Sequence, residues 1–493
     1  MFSKHFQDLS LLFLSTLPPA AWAVGKCKPL PSDAEWPSLA EWTTLNRSIS
    51  GKLLAARPPG AVCHPDLPVF NQSMCSQLRS TWTTPTFHSS NPWTVDYNDI
   101  SCLPDPAQPC SSTGYPAYAV QAESAGDVQA AVNFAARTNV RLVIKSTGHD
   151  YLGRSSGAGT LSIWTHQMRG LEVNKGDSRV PEYDDGSIAS VKVSAGMQWG
   201  EIYAEASKQS ITVVGGAVSS VGIGGLLTAG GHGPLSAFYG FPGDQVIEME
   251  VVTADGKLRT INAYTHSDLF WAMRGGGSPF AILISVTVKA FPTLPSTIVH
   301  FSYSTKADSD TFWSMVAFLH SQLPRISKAG GMGYYTVNSN ISAQTPGQKP
   351  NPASDGQLRG ILIFPNTTSV PRVERNFDRL LTGPFQNASW RVDPISSSVT
   401  PFATPDFMSA WSKFPSLAVG TSTRLGSWLL DEAALTVKSK VTKTQLRIAN
   451  AGGNFPLLGN FVSSDKVKNA RVAGGSNSIL PAWRHALVHL GMC

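Results

Sequence analysis

The chain is predicted to be an α+β protein of two unlike halves, and three observations carry that prediction. Between Tyr115 and Pro295, short β-type runs alternate with stretches of helical period, the pattern of β-α-β units. Two dense glycine clusters, at 146–159 and 222–233, fall within this region after β-type runs. Beyond Pro295 the character changes to alternating strands with an intervening long helical pattern, and no internal repeat or low-complexity tract occurs.

Residues 1–23 come first and read as a secretory signal. Lys4 and His5 precede the apolar run "LSLLFLSTLPPAAWA", and Ala21-Trp22-Ala23 supplies small residues for cleavage. The run is too short for a membrane span and Pro18-Pro19 interrupts it, and no later segment is long and apolar enough to span. Residues 24–114 are rich in Pro, Ser, Trp and Cys with little periodicity, so an irregular, disulfide-held segment with a supporting role is expected.

Residues 115–295 follow as the first folded half. "AYAVQA" is a strand, Ser124 caps a helix carrying Val128, Ala131, Val132 and Ala135 on one face, Asn139 ends it, and "VRLVIK" is the next strand. A second unit repeats the theme with "IASVKVSAG", the helix "QWGEIYAEASKQS" and the strand "ITVVGG". "VIEMEVVTADGKLRTI" is a hairpin turning at Asp255-Gly256, "SDLFWAMRGGG" a capped helix, and "AILISVTVKAF" a buried strand. Residues 296–493 form the second half, with strands at "HFSYST", "GMGYYTV" and "RGILIF" and a helix at "DTFWSMVAFLHSQL". The run "ILPAWRHALVHLGM" is expected to be a buried strand in which Ala482, His485, Leu487 and Leu490 need cover.

Composition narrows the function. The chain has 493 residues, 42% hydrophobic and only 15% charged, and its formal charge of +6 contains no basic run that would track a phosphate backbone, so no nucleic-acid partner is expected. Five of the six cysteines (Cys27, Cys63, Cys75, Cys102, Cys110) crowd the first quarter and the sixth is Cys493. That usage suits an oxidising compartment, with Cys102 and Cys110 bracketing "LPDPAQP" as a local staple; spacing leaves the other pairings open. There is no C-x-x-C and no His pair nearby, so no metal is expected. Sequons at Asn46, Asn71, Asn340, Asn366 and Asn387 fit a secreted, glycosylated surface.

The stretch "VIKSTGHDYLGRSSGAGTLSIW" sets His149 between glycine-bearing turns directly after a strand. A backbone that must approach a diphosphate needs residues without Cβ so that successive N–H groups can face the anion. Most glycines only make tight turns, but two clusters in successive units argue for a cradle. In the second, Leu227 stands where a G-x-G-x-x-G fingerprint would need its last glycine and no regular helix is expected to follow, while a P-loop fails for want of Gly-Lys-Ser/Thr.

Three long motifs, "STGHDYLGRSSGAGTLSIWTH", "VGIGGLLTAGGHGPLSAFYGFPGDQVIEMEVVTADG" and "LFWAMRGGGSPFAILISVTVKAFP", run collinearly from about Tyr115 to Pro295. Together they resemble the fungal branch of the berberine-bridge-enzyme-like FAD-linked oxidoreductases, which carry the PCMH-type FAD-binding fold of vanillyl-alcohol oxidase. The resemblance implies a two-subdomain FAD-binding domain followed by an α+β substrate domain, and a covalent bond from His149 to the flavin. It implies that Ser146, Thr147, Gly148, Asp150, Tyr151 and Gly153 line the cofactor, with Val221, Gly222, Gly224, Gly225, Gly230, Gly231, Gly233 and Asp244 from the second motif. Imidazole suits the attachment because its neutral nitrogen is nucleophilic near neutral pH.

Relatives with a second covalent link use a cysteine in G-x-C-x-x-V-G. The run here is "GAVSSVG", so Val218 takes the cysteine's place and attachment through His149 alone is expected, while Val221 matches a position that influences oxygen access. For the other ten histidines, His232 included, a core role satisfied by hydrogen bonds is the expectation. The implied activity is hydride removal from an alcohol or amine-type carbon of a small organic substrate, a secondary-metabolite intermediate first and a carbohydrate or simple alcohol second, with molecular oxygen as acceptor. The alternative is a flavin-binding protein without turnover: relatives continue past "NSILPAWRHALVHL" with a Y-x-N motif, so the substrate half is expected to be shortened, with unpaired ladder groups on its last strand. Tyr334, Tyr335 and Trp411 are pocket candidates, but no catalytic residue is assigned.

Overall fold

The computed structural model describes residues 27–97, 101–180, 184–277, 279–341, 355–415, 419–420, 425–436, 443–444, 446–447 and 456–492. The expected signal segment and Cys493 lie outside the described residues. Among those described, no helix is long and apolar enough to cross a membrane.

Three sheets organise the chain. The first contains β1 (Leu53–Ala55), β2 (Tyr118–Gln121), β3 (Leu142–Lys145) and β4 (Leu161–Trp164), in the order β1-β2-β4-β3. The expected β-α-β unit is present: the helix Ala125–Thr138 joins β2 to β3, and β4 pairs in parallel with both. Ser124 and Asp127 close a capping box at its start, and Asn139 ends it in the left-handed region at φ 58°. The second sheet contains β5 (Leu171–Asn174), β6 (Ala189–Ser194), β7 (Ile211–Val213), β8 (Val246–Thr253), β9 (Leu258–Asn262) and β10 (Ala281–Pro292). The long strand β10 is its spine: it pairs antiparallel with β6, β7 and β8, so the β6-helix-β7 unit spans it. Its core, which includes Val191, Trp199, Ile223, Met249 and Val286, is almost wholly buried.

The third sheet is antiparallel, in the order β14-β11-β13-β12-β16-β17-β15, from β11 (Ser296–Lys306), β12 (Met332–Asn338), β13 (Asp355–Pro365), β14 (Ser396–Thr404), β15 (Gly426–Asp431), β16 (Leu457–Phe461) and β17 (Ala486–Met492). Side chains alternate across its strands, so each strand serves two cores. Tyr335, Val337, Leu358 and Leu362 pack with Phe312, Trp313, Val316 and Leu319 of the helix Asp310–Lys328. Ile298, Met332, Ile361 and Ile363 join the core of the second sheet. The middle of the sheet is thereby covered on both faces, while its edge strands β14 and β15 are largely exposed.

Several expectations need correction. The segment before Tyr115 is more regular than its composition suggested: it has helices at Leu39–Ser48, Gln72–Thr81 and Pro85–Ser90 and contributes β1. The staple Cys102–Cys110 is present, and a second disulfide joins Cys63 to Cys75, while Cys27 is free and exposed. A six-residue helix, Ile223–Thr228, does follow Gly222. The helix Ser267–Ala272 starts after His266, in the left-handed region, with no side-chain cap. The helix expected to stop near Leu323 continues through Pro324 to Lys328. The final strand begins only at Ala486, leaving Ala482 and His485 exposed, and β17 is paired on both sides, by β15 and β16, so the unpaired ladder expected there does not occur.

Candidate active site

The site is assembled where loops of the first two sheets meet. β3 ends at Lys145 and releases the chain into the first glycine loop; the second approaches from Gly215. The Gly222 N–H donates to Thr147 Oγ1 at 3.1 Å, and Ser146 Oγ donates to the Ala195 carbonyl at 3.2 Å. Contact this close excludes side chains: a Cβ on Gly222 would meet Ser146 Oγ at 2.5 Å, and one on Gly233 would meet the Gly215 carbonyl at 1.5 Å. Gly148 and Gly153 have φ of +99° and +73°, which glycine adopts without penalty.

His149 is clamped through both ring nitrogens. Its Nδ1 lies 2.6 Å from Asp96 Oδ2 and its Nε2 lies 2.8 Å from Ser220 Oγ. Asp96 is wholly buried, and the backbone fixes it, since its N–H donates to the Gly148 carbonyl and its own carbonyl accepts from Gly420. A carboxylate on one nitrogen sets tautomer and ring plane, leaving the other nitrogen electron-rich. Asp96 Oδ1 has no hydrogen-bond partner. Nearby Lys145, 1% exposed, donates to the carbonyls of His88 (3.0 Å) and Thr147 (3.3 Å). Burial pulls its pKa down to about 7, against the attraction of Asp96.

The loops fit a dinucleotide. Beside Gly153 and Gly225 an added Cβ would meet nothing within 4 Å, so backbone is presented there to open space. A cavity of about 150 Å³ lies against the first loop, lined by Val95, Tyr115, Gly153 and Gly157 among others. The orphaned Asp96 oxygen, the open backbone and the cavity leave room and unmatched polarity beside His149, which is compatible with a bound dinucleotide.

The expected site residues divide into three groups. Ser146, Thr147, Gly148, His149, Val221 and Gly222 come together, and Gly224 and Gly225 open the helix that follows. Asp150 is paired with Arg154, and Tyr151 stacks on Tyr97 at 4.2 Å. Gly230, Gly231 and Gly233 lie past that helix, where added Cβ atoms would strike Ile479, Leu226 and Gly215. Asp244 stands elsewhere: both its oxygens accept from Arg484 at 2.7 Å, and Asn477 and the Phe241 N–H complete its shell. Of the aromatic candidates, Tyr335 bonds His320 in the helix-covered core and Trp411 donates to the Gly216 carbonyl, whereas Tyr334 faces the second sheet's core. His232 does not fit the expected satisfied core histidine, for its Nδ1 is buried without a partner. Asp96 was missed altogether: it is a lone acid in the run Trp93–Tyr97, every residue of which is buried.

A histidine clamped by a buried carboxylate at the junction of two glycine loops is compatible with the two-subdomain, flavin-dependent oxidoreductase that the sequence motifs resemble. The comparisons agree. Residues 116–262 match the FAD binding domain family. An uncharacterized FAD-linked oxidoreductase of Arthroderma benhamiae is 33% identical over 489 residues, covering 94% of this chain and 80% of its own. A bifunctional decalin synthase of Penicillium decumbens is 32% identical over 97% of this chain and 81% of its own. A VAO-type flavoprotein of Myceliophthora thermophila C1 superposes with a TM-score of 0.81 at 29% identity, covering 94% of this chain and 82% of that one. The chain belongs to the FAD-linked oxidoreductases of the vanillyl-alcohol-oxidase type, and its cofactor is FAD.

Proposed function

We propose that this protein is an FAD oxidase of the secretory pathway that removes a hydride from an alcohol or amine-type carbon of a small organic substrate and passes the electrons to molecular oxygen, with FAD attached through His149 alone. The observation that carries the reading is the Asp96–His149–Ser220 clamp at the meeting of the two glycine loops. When bound, FAD supplies the hydride acceptor. Asp96 and Ser220 orient the ring through its two nitrogens, the nitrogen that takes the flavin would give up its hydrogen bond to the new covalent bond, and the N–H groups of the two loops would hold the diphosphate. Lys145 places a cation or a neutral donor next to Asp96, according to pH. Val218 at the position of the second attachment supports a single bond, and Val221 supports access for oxygen. The decalin synthase among the relatives favours a secondary-metabolite intermediate as substrate. The N-terminal apolar run and two disulfides support secretion, and the exposed Asn71, Asn366 and Asn387 are the sequons best placed for glycans.

The test is a flavin spectrum before and after acid denaturation, followed by tryptic mapping and a peroxide assay over a substrate panel. The precipitate is expected to stay yellow, and the peptide containing His149 to carry the flavin mass. Flavin wholly released by acid would refute attachment, and reduction by a substrate without peroxide would refute the oxygen half.

A further inference from the structure

The second glycine loop, from Gly215 to Gly222, is held from three sides. Its end meets the first loop, where the Gly222 N–H donates to Thr147 Oγ1. Its middle lies on the start of the helix Trp199–Lys208, whose Trp199 and Gly200 N–H groups donate to the carbonyls of Val221 (3.0 Å) and Ser219 (2.9 Å). Its beginning is gripped by side chains. The carbonyl of the buried Gly216 accepts from the Tyr203 hydroxyl at 3.1 Å and from Trp411 Nε1 at 3.3 Å, which occupies both lone pairs of that oxygen.

That grip is aromatic and comes from both halves of the chain. Trp199 and Tyr203 stand one turn apart on their helix, and Phe407 and Trp411 stand one turn apart on the helix Phe407–Trp411 of the substrate half. The Tyr203 ring meets Phe407 at 5.2 Å and Trp411 at 5.1 Å, both edge to face. A Cβ on Gly215 would strike the Trp199 ring at 2.0 Å, so loop backbone and indole are in direct contact. All four aromatics are buried, Trp199 completely. Burial pushes the Tyr203 hydroxyl well above its ordinary range, so it remains a donor at physiological pH.

Four residues beyond Gly216, Ser220 Oγ stands 2.8 Å from His149 Nε2. We propose that Tyr203 and Trp411 are positioning residues for His149: by fixing the Gly216 carbonyl they place Ser220 against the imidazole and hold the ring in the orientation in which it takes the flavin. The proposal rests on the attachment reading above and adds a condition to it. Because Trp411 belongs to the substrate half, the ring is fully set only when that half is docked on the cofactor half. Removing either donor leaves a buried carbonyl short of a partner. The stretch between carbonyl and serine is then free to yield, since Ala217 and Val218 are only half-buried and Ser219 is exposed. A purely structural role would cost stability alone, whereas a positioning role must act through Ser220.

The experiment uses purified holoprotein labelled with ¹⁵N-histidine and records two quantities: the fraction of flavin that stays with the protein after acid, and the histidine resonances, that of His149 assigned with His149→Gln. Trp411→Phe is expected to lower the acid-stable fraction about threefold, and Tyr203→Phe with Trp411→Phe about tenfold, as the loss of one and then two neutral hydrogen bonds. The His149 resonance should move in both while the other histidines stay. In a Ser220→Ala background Trp411→Phe should add nothing, the sign of an effect carried through that serine. A double variant with the wild-type fraction and the wild-type His149 resonance overturns the proposal whatever its thermal midpoint, and so does full additivity with Ser220→Ala. Trp411→Phe, which keeps a ring in the same core, carries the test alone should the double variant fold poorly. Wild-type flavin wholly released by acid fails the attachment reading, and the His149 resonance then decides the positioning by itself: displaced in Trp411→Phe it supports the proposal, unmoved it overturns it.

Discussion

Replacing Arg484 by alanine is expected to cost about 3 kcal/mol and to release the segment that ties the third sheet to the cofactor half. Arg484 Nη1 and Nη2 each donate to Asp244 at 2.7 Å, and the same guanidinium reaches Asn477 Oδ1 (2.9 Å) and the Val467 carbonyl (3.1 Å). The Asp244 side chain is 1% exposed and that of Arg484 19%. Removing one partner of a buried pair strands the other, at roughly 3–5 kcal/mol. The lower end applies because Asn477 and the Phe241 N–H still donate to the carboxylate. Set against a net stability of roughly 5–15 kcal/mol, this is a large loss.

The pair is the central fastening of a longer clasp. Ser464 donates to the Ala237 carbonyl, Arg274 to the carbonyls of Ala473 and Ser476, and Ser478 to the Ala272 carbonyl, while Ile479 fills the space that the missing side chains of Gly230 and Gly275 leave. Thermal unfolding followed by flavin fluorescence should fall by roughly 6–12 °C in Arg484→Ala, at about 2–4 °C per kcal/mol for larger domains. Trypsin should then cut at the exposed Lys466 or Lys468 before the rest of the fold opens. Arg484→Lys should fall between, since a point charge replaces a two-pronged donor. Adding Asp244→Asn to Arg484→Ala should restore part of the loss by removing the stranded charge. A midpoint within 2 °C of wild type and an unchanged digestion pattern would refute the clasp.

Two more outcomes follow from the site. Val221→Leu should slow reoxidation of the reduced flavin about tenfold, equivalent to about 1.4 kcal/mol, in stopped-flow traces, and equal rates would place the oxygen path elsewhere. Lys145 titrates at about 7 in the folded chain and at roughly 10.4 when unfolded, so between those values the unfolded state binds the extra proton and stability rises with pH, by up to about 1.4 kcal/mol per unit. Urea unfolding at pH 7 to 9.5 should show that rise in wild type and its loss in Lys145→Met; parallel curves would mean that Lys145 keeps its proton in the fold.

What sequence could and could not reveal follows from the range of each interaction. The β2-helix-β3 unit was legible because its signals are local: Ser124 and Asp127 cap the helix within one turn, and Asn139 ends it. His149 was legible because its glycines flank it in the chain. Asp96 was not, since only the packing of a segment without periodicity brings it to the ring. The Asp244–Arg484 tie joins residues 240 apart, and nothing near either one announces the other. β12 is the instructive case. In "YYTVN" the even positions Tyr334, Thr336 and Asn338 are polar and the odd positions Tyr335 and Val337 belong to the helix-covered core, so the period of two is plain in the sequence. In an antiparallel sheet that alternation ordinarily assigns the polar face to water. Here Tyr334 is turned toward the second sheet's core and Thr336 lies opposite the exposed Arg359, yet the side-chain oxygens of Tyr334, Thr336 and Asn338 are buried and unmatched. A period tells which residues share a face but not what covers it, and a polar face that is covered all the same is where binding groups are to be sought.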